Sequence, residues 1–283
     1  MVSSNDLILN RLFTQGVLFN LINTCGDSVY SAIVKRYLGG FSSQKNSKLI
    51  SLIYKKMEKG YRNEYIYKNI ILKKLLLGRH SLKTTTALTE VPVKKSKADF
   101  VLINGKAVVY EIKTELDTLE RVRSQIDDYF SAFTNVCIIS SEKHFEKILN
   151  IYDGTAVGVC VLTSKNTISL KKKPVEDRSR LDQEIIFKIL NKIEFENVLR
   201  SYYGELPDVP SVFYYKKCLE LFKSIPFDIS YGLFLRELKK RNAVLADEFK
   251  KTPDELKAIV YFSKLKKNDY FKLEQFLDQQ FGA

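Results

Sequence analysis

Two short apolar runs that meet at an Asn-Gly pair constrain this chain more than any other part of its sequence. The runs are residues 97–103 (KADFVLI) and residues 106–113 (KAVVYEIK), and Asn104-Gly105 joins them. An Asn-Gly pair between apolar runs is a strong short-range signal for a β-hairpin. The sequence therefore predicts two antiparallel strands at this place.

The length of the turn decides which side chains of the hairpin share a face. Alternate residues of a strand point the same way, so Glu111 and Lys113 lie together. A regular two-residue turn would pair Asp99 with Tyr110 and place Asp99 and Glu111 on opposite faces. A three-residue loop or one bulge would bring the two carboxylates to one face. We predict the odd loop or the bulge, because a Mg²⁺ site with ligands at about 2.0–2.1 Å requires it.

The composition is that of a globular protein. The chain has 283 residues, of which 45% are hydrophobic and 28% are charged. A signal peptide and an apolar stretch of transmembrane length are both absent, which predicts a cytoplasmic protein with no membrane partner. Four scattered cysteines (Cys25, Cys137, Cys160, Cys218) predict reduced thiols, and only two histidines (His80, His144) exclude a His-rich metal site.

The net charge of +13 favours a polyanionic partner, with nucleic acid first. Residues 45–80 carry ten Lys and Arg against two Glu, which is +8 of that total. Tyrosines interleave with these basic residues, either as a surface that tracks a nucleic-acid strand or as the core contacts of a solvated basic helix. These tyrosines are Tyr54, Tyr61, Tyr65 and Tyr67.

The order of predicted elements indicates an α/β protein. Helical patterns occupy residues 6–37, 48–58 and 63–77, followed by strands at 84–93, 98–103 and 107–112. Asp117, with Glu120 three residues on, resembles a capping box that opens a helix to about residue 133. A strand at 136–140, a helix at 142–151 and a strand at 156–162 follow. We predict three segments: N-terminal helices (1–60), a core (61–170) and C-terminal helices (171–283).

The hairpin carries a candidate phosphodiester-cleaving site. Hydrolysis needs an in-line water, charge neutralisation at phosphorus and help for the leaving oxygen, which carboxylate-held Mg²⁺ can supply. Asp99 and Glu111 are the candidate ligands, and the Ile112 carbonyl could complete the shell. Lys113 would orient the water or stabilise charge on phosphate oxygens. Glu90 is a further candidate ligand on the sheet.

The following helix adds a row of side chains. Arg121, Gln125 and Tyr129 are spaced by four and so share one helix face. Gln125 could reach Lys113 or the attacking water, Tyr129 could brace the site, and Arg121 could bind the nucleic-acid backbone. Taken alone, Gln125 and Tyr129 are more often ordinary surface and core residues. Glu64, a possible additional acid, also has an ordinary interpretation as an ion pair with Lys68.

These residues resemble the motif of the PD-(D/E)XK nuclease superfamily, in its RecB-type branch. The matching positions are Asp99, Glu111-Ile112-Lys113 and Gln125 with Tyr129, and the stretch that begins at Glu90 is similar to a little-characterised bacterial family within that superfamily. The resemblance covers about residues 61–200, with Ala98 in place of the usual proline. It implies a restriction-endonuclease-like αβββαβ core with helical N- and C-terminal extensions, Mg²⁺ dependence with Mn²⁺ as a substitute, and nucleic-acid cleavage.

The leading hypothesis is a Mg²⁺-dependent deoxyribonuclease. The alternatives are an inactive nucleic-acid-binding module of the same fold and a partner-binding regulatory protein. DNA is favoured over RNA as the partner, and the sequence leaves open whether the protein forms a homodimer. The chain has no P-loop signature, so any motor or regulatory protein would be a separate chain. The candidate nucleic-acid-binding residues are Arg121, Lys97, Lys68 and Arg62.

Overall fold

A computed structural model of the protein describes residues 7–24, 26–39, 43–78, 81–242 and 244–282, so Cys25 and His80 lie outside the described residues. The chain is a mixed α/β protein with helical extensions. It divides into two compact units. The first combines residues 1–82, 114–117 and 243–283, and the second combines residues 83–113 and 118–242. The three-segment division by chain order stays a prediction.

The first unit is helical, with elements numbered along the chain. Its N-terminal helices are α1 (Leu7–Leu12), α2 (Gln15–Thr24), α3 (Ser28–Leu38), α4 (Asn46–Gly60) and α5 (Glu64–Ile71), and α5 continues as a π-helix (Leu72–Leu77). Its C-terminal helices are α12 (Ala246–Lys251), α13 (Lys257–Ser263) and α14 (Lys267–Asp278), and a 3₁₀ turn (Asp254–Leu256) precedes α13. The buried amide of Asn69 joins the two ends of the chain in this unit. It donates to the Asp254 carbonyl oxygen at 2.9 Å and accepts from the Ala258 backbone N–H at 2.9 Å.

The tyrosines of the basic segment belong to the core of the first unit. Tyr54, Tyr61 and Tyr67 are 7%, 4% and 0% exposed, and the Tyr65 ring stacks on Phe13 with centroids 4.3 Å apart. The interpretation of these rings as a strand-tracking surface is therefore wrong. The alternative, a basic helical segment with aromatic core contacts, is confirmed by the burial of these rings. Burial removes their large apolar area from water and so stabilises the core.

The second unit is built on a six-stranded sheet. Its strands are β1 (Thr86–Leu88), β4 (Phe100–Asn104), β5 (Lys106–Lys113), β6 (Asn135–Ser141), β7 (Gly158–Leu162) and β8 (Ile168–Lys172), hydrogen-bonded in that order, and a separate ribbon pairs β2 (Val91–Val93) with β3 (Ser96–Ala98). β5, β6 and β7 are parallel, and the other pairs are antiparallel. The helices are α6 (Val122–Phe130), α7 (Phe145–Tyr152), α8 (Gln183–Ile189), α9 (Lys192–Tyr203), α10 (Ser211–Ser224) and α11 (Phe227–Lys240).

The core of the second unit lies between the sheet and its helices. Every residue of β6 and β7 is buried, as expected for parallel strands covered on both faces. Val109 from β5 and Ile138 from β6 belong to the same buried cluster as Phe130 of α6 and Phe234 of α11. The helix α6 connects β5 to β6, which is the usual crossover between parallel strands.

The predicted odd turn at Asn104-Gly105 is confirmed. Ile103 pairs with Ala107, which leaves a three-residue loop centred on Gly105. Gly105 has a φ of 72°, a left-handed conformation that favours glycine. The same register, continued by one residue, places Asp99 opposite Glu111.

Other predicted elements are corrected. The strand expected over residues 84–93 breaks at Glu90, whose φ of 54° is incompatible with an extended strand, and the chain then forms the β2–β3 ribbon. The helix expected from Asp117 begins at Val122. Asp117 instead accepts hydrogen bonds from the Thr114 backbone N–H (2.8 Å) and hydroxyl (2.7 Å), so it closes the turn after β5. The strand β8 was not predicted.

Gly158 at the start of β7 has no room for a side chain. A Cβ atom there would lie 2.7 Å from both the ring Cδ and the backbone N of Pro174. Replacing Gly158 by alanine is therefore expected to destabilise the protein by ~1–3 kcal/mol, the usual cost of overpacking. Urea unfolding measures this change, and an unchanged midpoint would contradict the close approach. Gly60→Ala is the matched control, because a Cβ at Gly60 meets no atom within 4 Å.

Within the described part of the chain, no single helix combines the length and apolar character needed to cross a membrane. One pair of described helices, α2 and α3, would be long and apolar enough if the two were counted together across their bend of 98°, by length and composition alone.

Candidate functional site

A buried ion pair stands at the end of β5. Glu111 is 0% exposed and Lys113 is 7% exposed, and Lys113 Nζ lies 2.7 Å from Glu111 Oε1. The other carboxylate oxygen, Oε2, accepts a hydrogen bond of 2.7 Å from the Tyr129 hydroxyl. The same hydroxyl lies 2.7 Å from the Lys97 carbonyl oxygen on β3. Glu111 is thus held from two sides.

One face of α6 contributes Gln125 and Tyr129, which are four residues apart in the sequence and contact the ion pair. Gln125 and Tyr129 both point toward the end of β5, and Lys113 Nζ donates to Gln125 Oε1 at 2.9 Å. Arg121 stands at the N-cap of α6 with its side chain exposed. The structure therefore brings Glu111, Lys113, Gln125 and Tyr129 into one connected group.

The Tyr129 hydroxyl acts as a donor in this group. Burial raises the pKa of Tyr129 far above its usual range, and the negative charges of Glu111 and Asp99 raise it further. The phenol is therefore protonated at neutral pH. Its proton stabilises the Glu111 carboxylate.

Two more carboxylates meet beside the hairpin. Oxygens of Glu90 and Asp99 lie within 4.8 Å of one another. Asp99 Oδ2 accepts from the Ile112 backbone N–H at 2.8 Å, and the Thr89 hydroxyl donates to the Asp99 carbonyl oxygen at 2.8 Å. Asp99 is therefore held at both its backbone carbonyl and one side-chain oxygen.

The donor set suits a hard divalent cation. Mg²⁺ binds oxygen at about 2.0–2.1 Å, so two of its ligands lie at most about 4.2 Å apart, and Glu90 and Asp99 can approach this separation with small side-chain movements. Glu111 Oε1 is buried and receives no hydrogen bond of good geometry, although Lys113 is adjacent. Among the described residues, however, Glu111 is not part of a group of three or more metal-binding side chains with ligand atoms this close.

The other predicted site residues lie on the hairpin, on β3 or in the first unit. Ile112 contacts Asp99 through its backbone N–H, and a metal-binding role for its carbonyl stays a prediction. Lys97 is exposed on β3. Glu64, Arg62 and Lys68 belong to the first unit.

In that unit, Lys68 pairs with Glu64, and Arg62 lies 5.5 Å from the centre of the Tyr67 ring and 3.8 Å from Glu115. The nucleic-acid-binding roles of Arg62 and Lys68, and the role of Glu64 as an additional acid, stay predictions.

Thr89 and the Lys97 carbonyl are site groups that the sequence did not predict. A threonine before a glutamate carries no signal by itself, and a backbone carbonyl carries none. Ser96 also contributes, because its hydroxyl donates to Asp128 Oδ2 at 2.7 Å and ties β3 to α6. The β2–β3 ribbon, which was not predicted, places Ser96 and Lys97 in these positions.

Replacing Tyr129 by phenylalanine is expected to destabilise the protein by ~1–3 kcal/mol, because the buried Glu111 Oε2 would lose the hydroxyl that donates to it. Urea unfolding followed by circular dichroism measures the change. Tyr152→Phe is the matched control, since the Tyr152 hydroxyl is buried and has no hydrogen-bond partner among the residues that the structure describes. Equal losses in the two variants would contradict the role given to Tyr129.

Comparisons with known proteins place the chain in a phage family. The family described as Bacteriophage P4 protein cII matches residues 57–271, which is most of the chain, and the chain belongs to this family. Protein cII of Enterobacteria phage P4 is 28% identical over 138 residues, or 47% of this chain and 52% of that relative. The chain thus matches about half the length of this curated relative. No solved structure matches.

The resemblance to the PD-(D/E)XK nuclease superfamily is therefore corrected. The family match runs through both the hairpin and the C-terminal helices, and no nuclease family matches. The physical reason is that the motif consists of a few short-spaced residues. Acid, Glu-x-Lys and Gln-x-x-x-Tyr patterns arise readily on a strand and a helix face, so they define a family poorly.

Proposed function

We propose that this member of the phage P4 cII family is a metal-dependent nuclease that hydrolyses phosphodiester bonds in DNA. The observation that carries the proposal is the approach of the Glu90 and Asp99 carboxylates beside the buried Glu111–Lys113 pair. Two oxygen ligands next to a fixed ammonium group form a combination suited to phosphate chemistry. The proposal rests on this geometry, independently of any nuclease family.

The chain's own residues would divide the work. Glu90 and Asp99 would hold Mg²⁺ or Mn²⁺, which supplies charge neutralisation at the phosphate and activates water. Lys113 would donate to a non-bridging phosphate oxygen and so stabilise the negative charge that builds up there. Gln125 Oε1 accepts from the ammonium group and aims it, and Glu111 pairs with it at 2.7 Å. Tyr129 holds Glu111 in place.

The substrate and setting are further parts of the proposal. The charge of +13 supports a nucleic-acid substrate. The exposed Lys97 and Arg121 would contact its backbone. We infer that the substrate is DNA rather than RNA and that the protein acts in the cytoplasm. We also propose a homodimer as one assembly and a separate motor or regulatory protein as a partner. The restriction-endonuclease-like αβββαβ order is proposed for the core as topology alone, supported by the antiparallel β1–β4–β5 meander and the α6 crossover to β6.

One observation favours a second candidate, a nucleic-acid-binding module without turnover. Glu111 Oε2 accepts from the Tyr129 hydroxyl, and Oε1 lies 2.7 Å from Lys113 Nζ, so groups of the chain itself already surround this carboxylate. A site closed in this way could bind the phosphate backbone without cutting it. A regulatory protein that binds an acidic protein partner through its basic charge is the third alternative.

The test is incubation of the purified protein with supercoiled, linear and single-stranded DNA and with RNA, in Mg²⁺, Mn²⁺, Ca²⁺ or EDTA. The proposal expects DNA cleavage that requires Mg²⁺ or Mn²⁺. Salt-dependent binding to DNA without cleavage in any metal would support the binding module instead. Absence of both would favour the protein partner.

A further inference from the structure

Five exposed basic side chains lie together on α3 and α4 of the first unit, and we call this surface the basic face. They are Arg36 of α3 and Lys48, Lys55, Lys56 and Lys59 of α4. Glu58, which is half-buried, is the only acid within these two helices. Five cations against one acid give the basic face an excess of four positive charges.

Three of the lysines form a straight row along α4. Lys48, Lys55 and Lys59 are separated by seven and four residues, so on a helix of 3.6 residues per turn they project within about 40° of one another. At a rise of 1.5 Å per residue, the row is about 16 Å long. The opposite side of α4 is buried, so this helix presents a regular line of charge to solvent.

The other two cations widen the row toward α3. Arg36 Cζ lies 5.8 Å from the centre of the Tyr37 ring, and Lys56 Nζ lies 5.3 Å from the same centre. One ring thus brings together two like charges from two helices. Attraction to the ring offsets part of their repulsion, and a bound polyanion would offset the rest.

The charges of the basic face are not neutralised by the protein. None of its five cations forms an ion pair with a residue that the structure describes. Other lysines of the same unit do form such pairs, namely Lys45–Asp278, Lys68–Glu64 and Lys73–Asp254. The unit therefore pairs its lysines elsewhere and leaves this face available to an external anion.

The chemistry of the basic face selects among anionic partners. Both helices lie wholly within the described residues, and no large apolar or aromatic side chain of either is exposed. A helix that lies in a membrane surface needs an apolar face to insert, and proteins that bind single strands use aromatic rings on which bases stack. A line of charge without such groups instead suits the phosphate backbone of a duplex.

We propose that the basic face binds the phosphate backbone of duplex DNA, with the row of Lys48, Lys55 and Lys59 along one strand and with Arg36 and Lys56 on adjacent phosphates. Duplex DNA is stiff over lengths far greater than this row, so a straight line of cations can contact several phosphates at once. The inference rests on the DNA partner of the proposed function but not on cleavage.

Fluorescence anisotropy of the full chain with a labelled duplex tests the proposal. The measurement is made in EDTA over a series of salt concentrations, so that it reports binding without turnover. The row variant carries Lys48→Gln, Lys55→Gln and Lys59→Gln, which remove three charges and keep good helix formers. Because each phosphate contact adds about 0.9 to the slope of log K against log salt, we expect this slope to fall by roughly two to three. Affinity at about 0.1 M salt should weaken at least about tenfold.

The matched control removes the same charge from another helix. Lys216→Gln, Lys217→Gln and Lys223→Gln together change three exposed lysines of α10, two of which lie 3.6 Å from a glutamate. Charges away from the bound DNA are largely screened, so affinity should stay within about twofold of the wild type. A second variant of the basic face, Arg36→Gln with Lys56→Gln, should lower the salt slope by roughly one to two. Melting followed by circular dichroism verifies that each variant is folded.

Three outcomes would overturn the proposal. They are equal losses in the row variant and the α10 control, no binding of the wild type to the duplex, and wild-type binding to phosphatidylserine vesicles that is tighter than binding to DNA and is lost in the row variant. A wild type that cuts DNA while the row variant binds like the control would remove the basic face alone. Loss of binding in the row variant of a protein that never cuts DNA would remove the nuclease alone.

Discussion

Replacing Asp99 by asparagine is expected to lower metal-dependent DNA cleavage by roughly 100-fold or more while the protein stays folded. Asparagine keeps a carbonyl oxygen that can accept from the Ile112 backbone N–H, the contact that Asp99 Oδ2 makes at 2.8 Å. It removes only the charge and one ligand oxygen. The rate of supercoiled plasmid nicking against Mg²⁺ concentration measures the effect.

Glu90→Gln distinguishes metal binding from catalysis. Because Glu90 shares the pair with Asp99, its loss should raise the Mg²⁺ concentration needed for half-maximal cleavage by about tenfold. Glu220→Gln is a control on α10, where the side chain is exposed and pairs only at 3.6 Å with Lys217. Its cleavage rate should equal that of the wild type. Cleavage at the wild-type rate in Asp99→Asn would show that these carboxylates are not the metal site.

Replacing Lys113 by methionine is expected to destabilise the protein by ~3–5 kcal/mol. Glu111 is fully buried, and removal of its cationic partner would leave a carboxylate without compensating charge. Desolvation of that charge is the source of the cost. Urea unfolding at pH 7 gives the change directly.

The double variant Glu111→Leu, Lys113→Met should recover most of that loss, because an apolar pair of similar volume replaces a desolvated ion pair. The Tyr129 hydroxyl would still reach the Lys97 carbonyl oxygen at 2.7 Å, so it would not become unpaired. Gln125 is half-buried and could turn to water. DNA cleavage would remain absent, which separates stability from chemistry.

Lys250→Met is the matched control for the ion pair. Lys250 lies 3.4 Å from Asp247, and both side chains are largely exposed, so stability should barely change. If Lys113→Met were as stable as this control, the charge of Glu111 would have to be compensated by another group.

The hairpin could be predicted in detail because its signals are local. Asn104-Gly105 marks a turn, and alternation of apolar residues marks the strands around it. Asp99 and Glu111 can share a face only if the turn is odd, which predicts a three-residue loop or a bulge. The pairing of Ile103 with Ala107 confirms the odd turn. The spacing of Gln125 and Tyr129 was equally informative, since helix geometry fixes which residues share a face.

The parts that were missed depend on conformations that carry no sequence signal. Glu90 and Lys94 both adopt positive φ, which is uncommon for residues other than glycine, so the sequence predicts a strand over residues 84–93 and not the break at Glu90 or the β2–β3 ribbon. Asp117 followed by Glu120 has the form of a capping box, but the Thr114 N–H and hydroxyl offered Asp117 nearer donors. In the second case one local hydrogen-bond pattern replaced another, and the residue types alone do not distinguish the two.

The turn at Gly105 also limits how this family can vary in length. If the length of the loop were kept, loss or gain of one residue there would move every side chain of β5 to the opposite side of the sheet, with Val109 and Glu111 exchanging places with their neighbours. Two residues could be added without that exchange. Related chains should therefore differ at this hairpin by even numbers of residues, so that a single-codon insertion is selected against even where the protein surface would accommodate it.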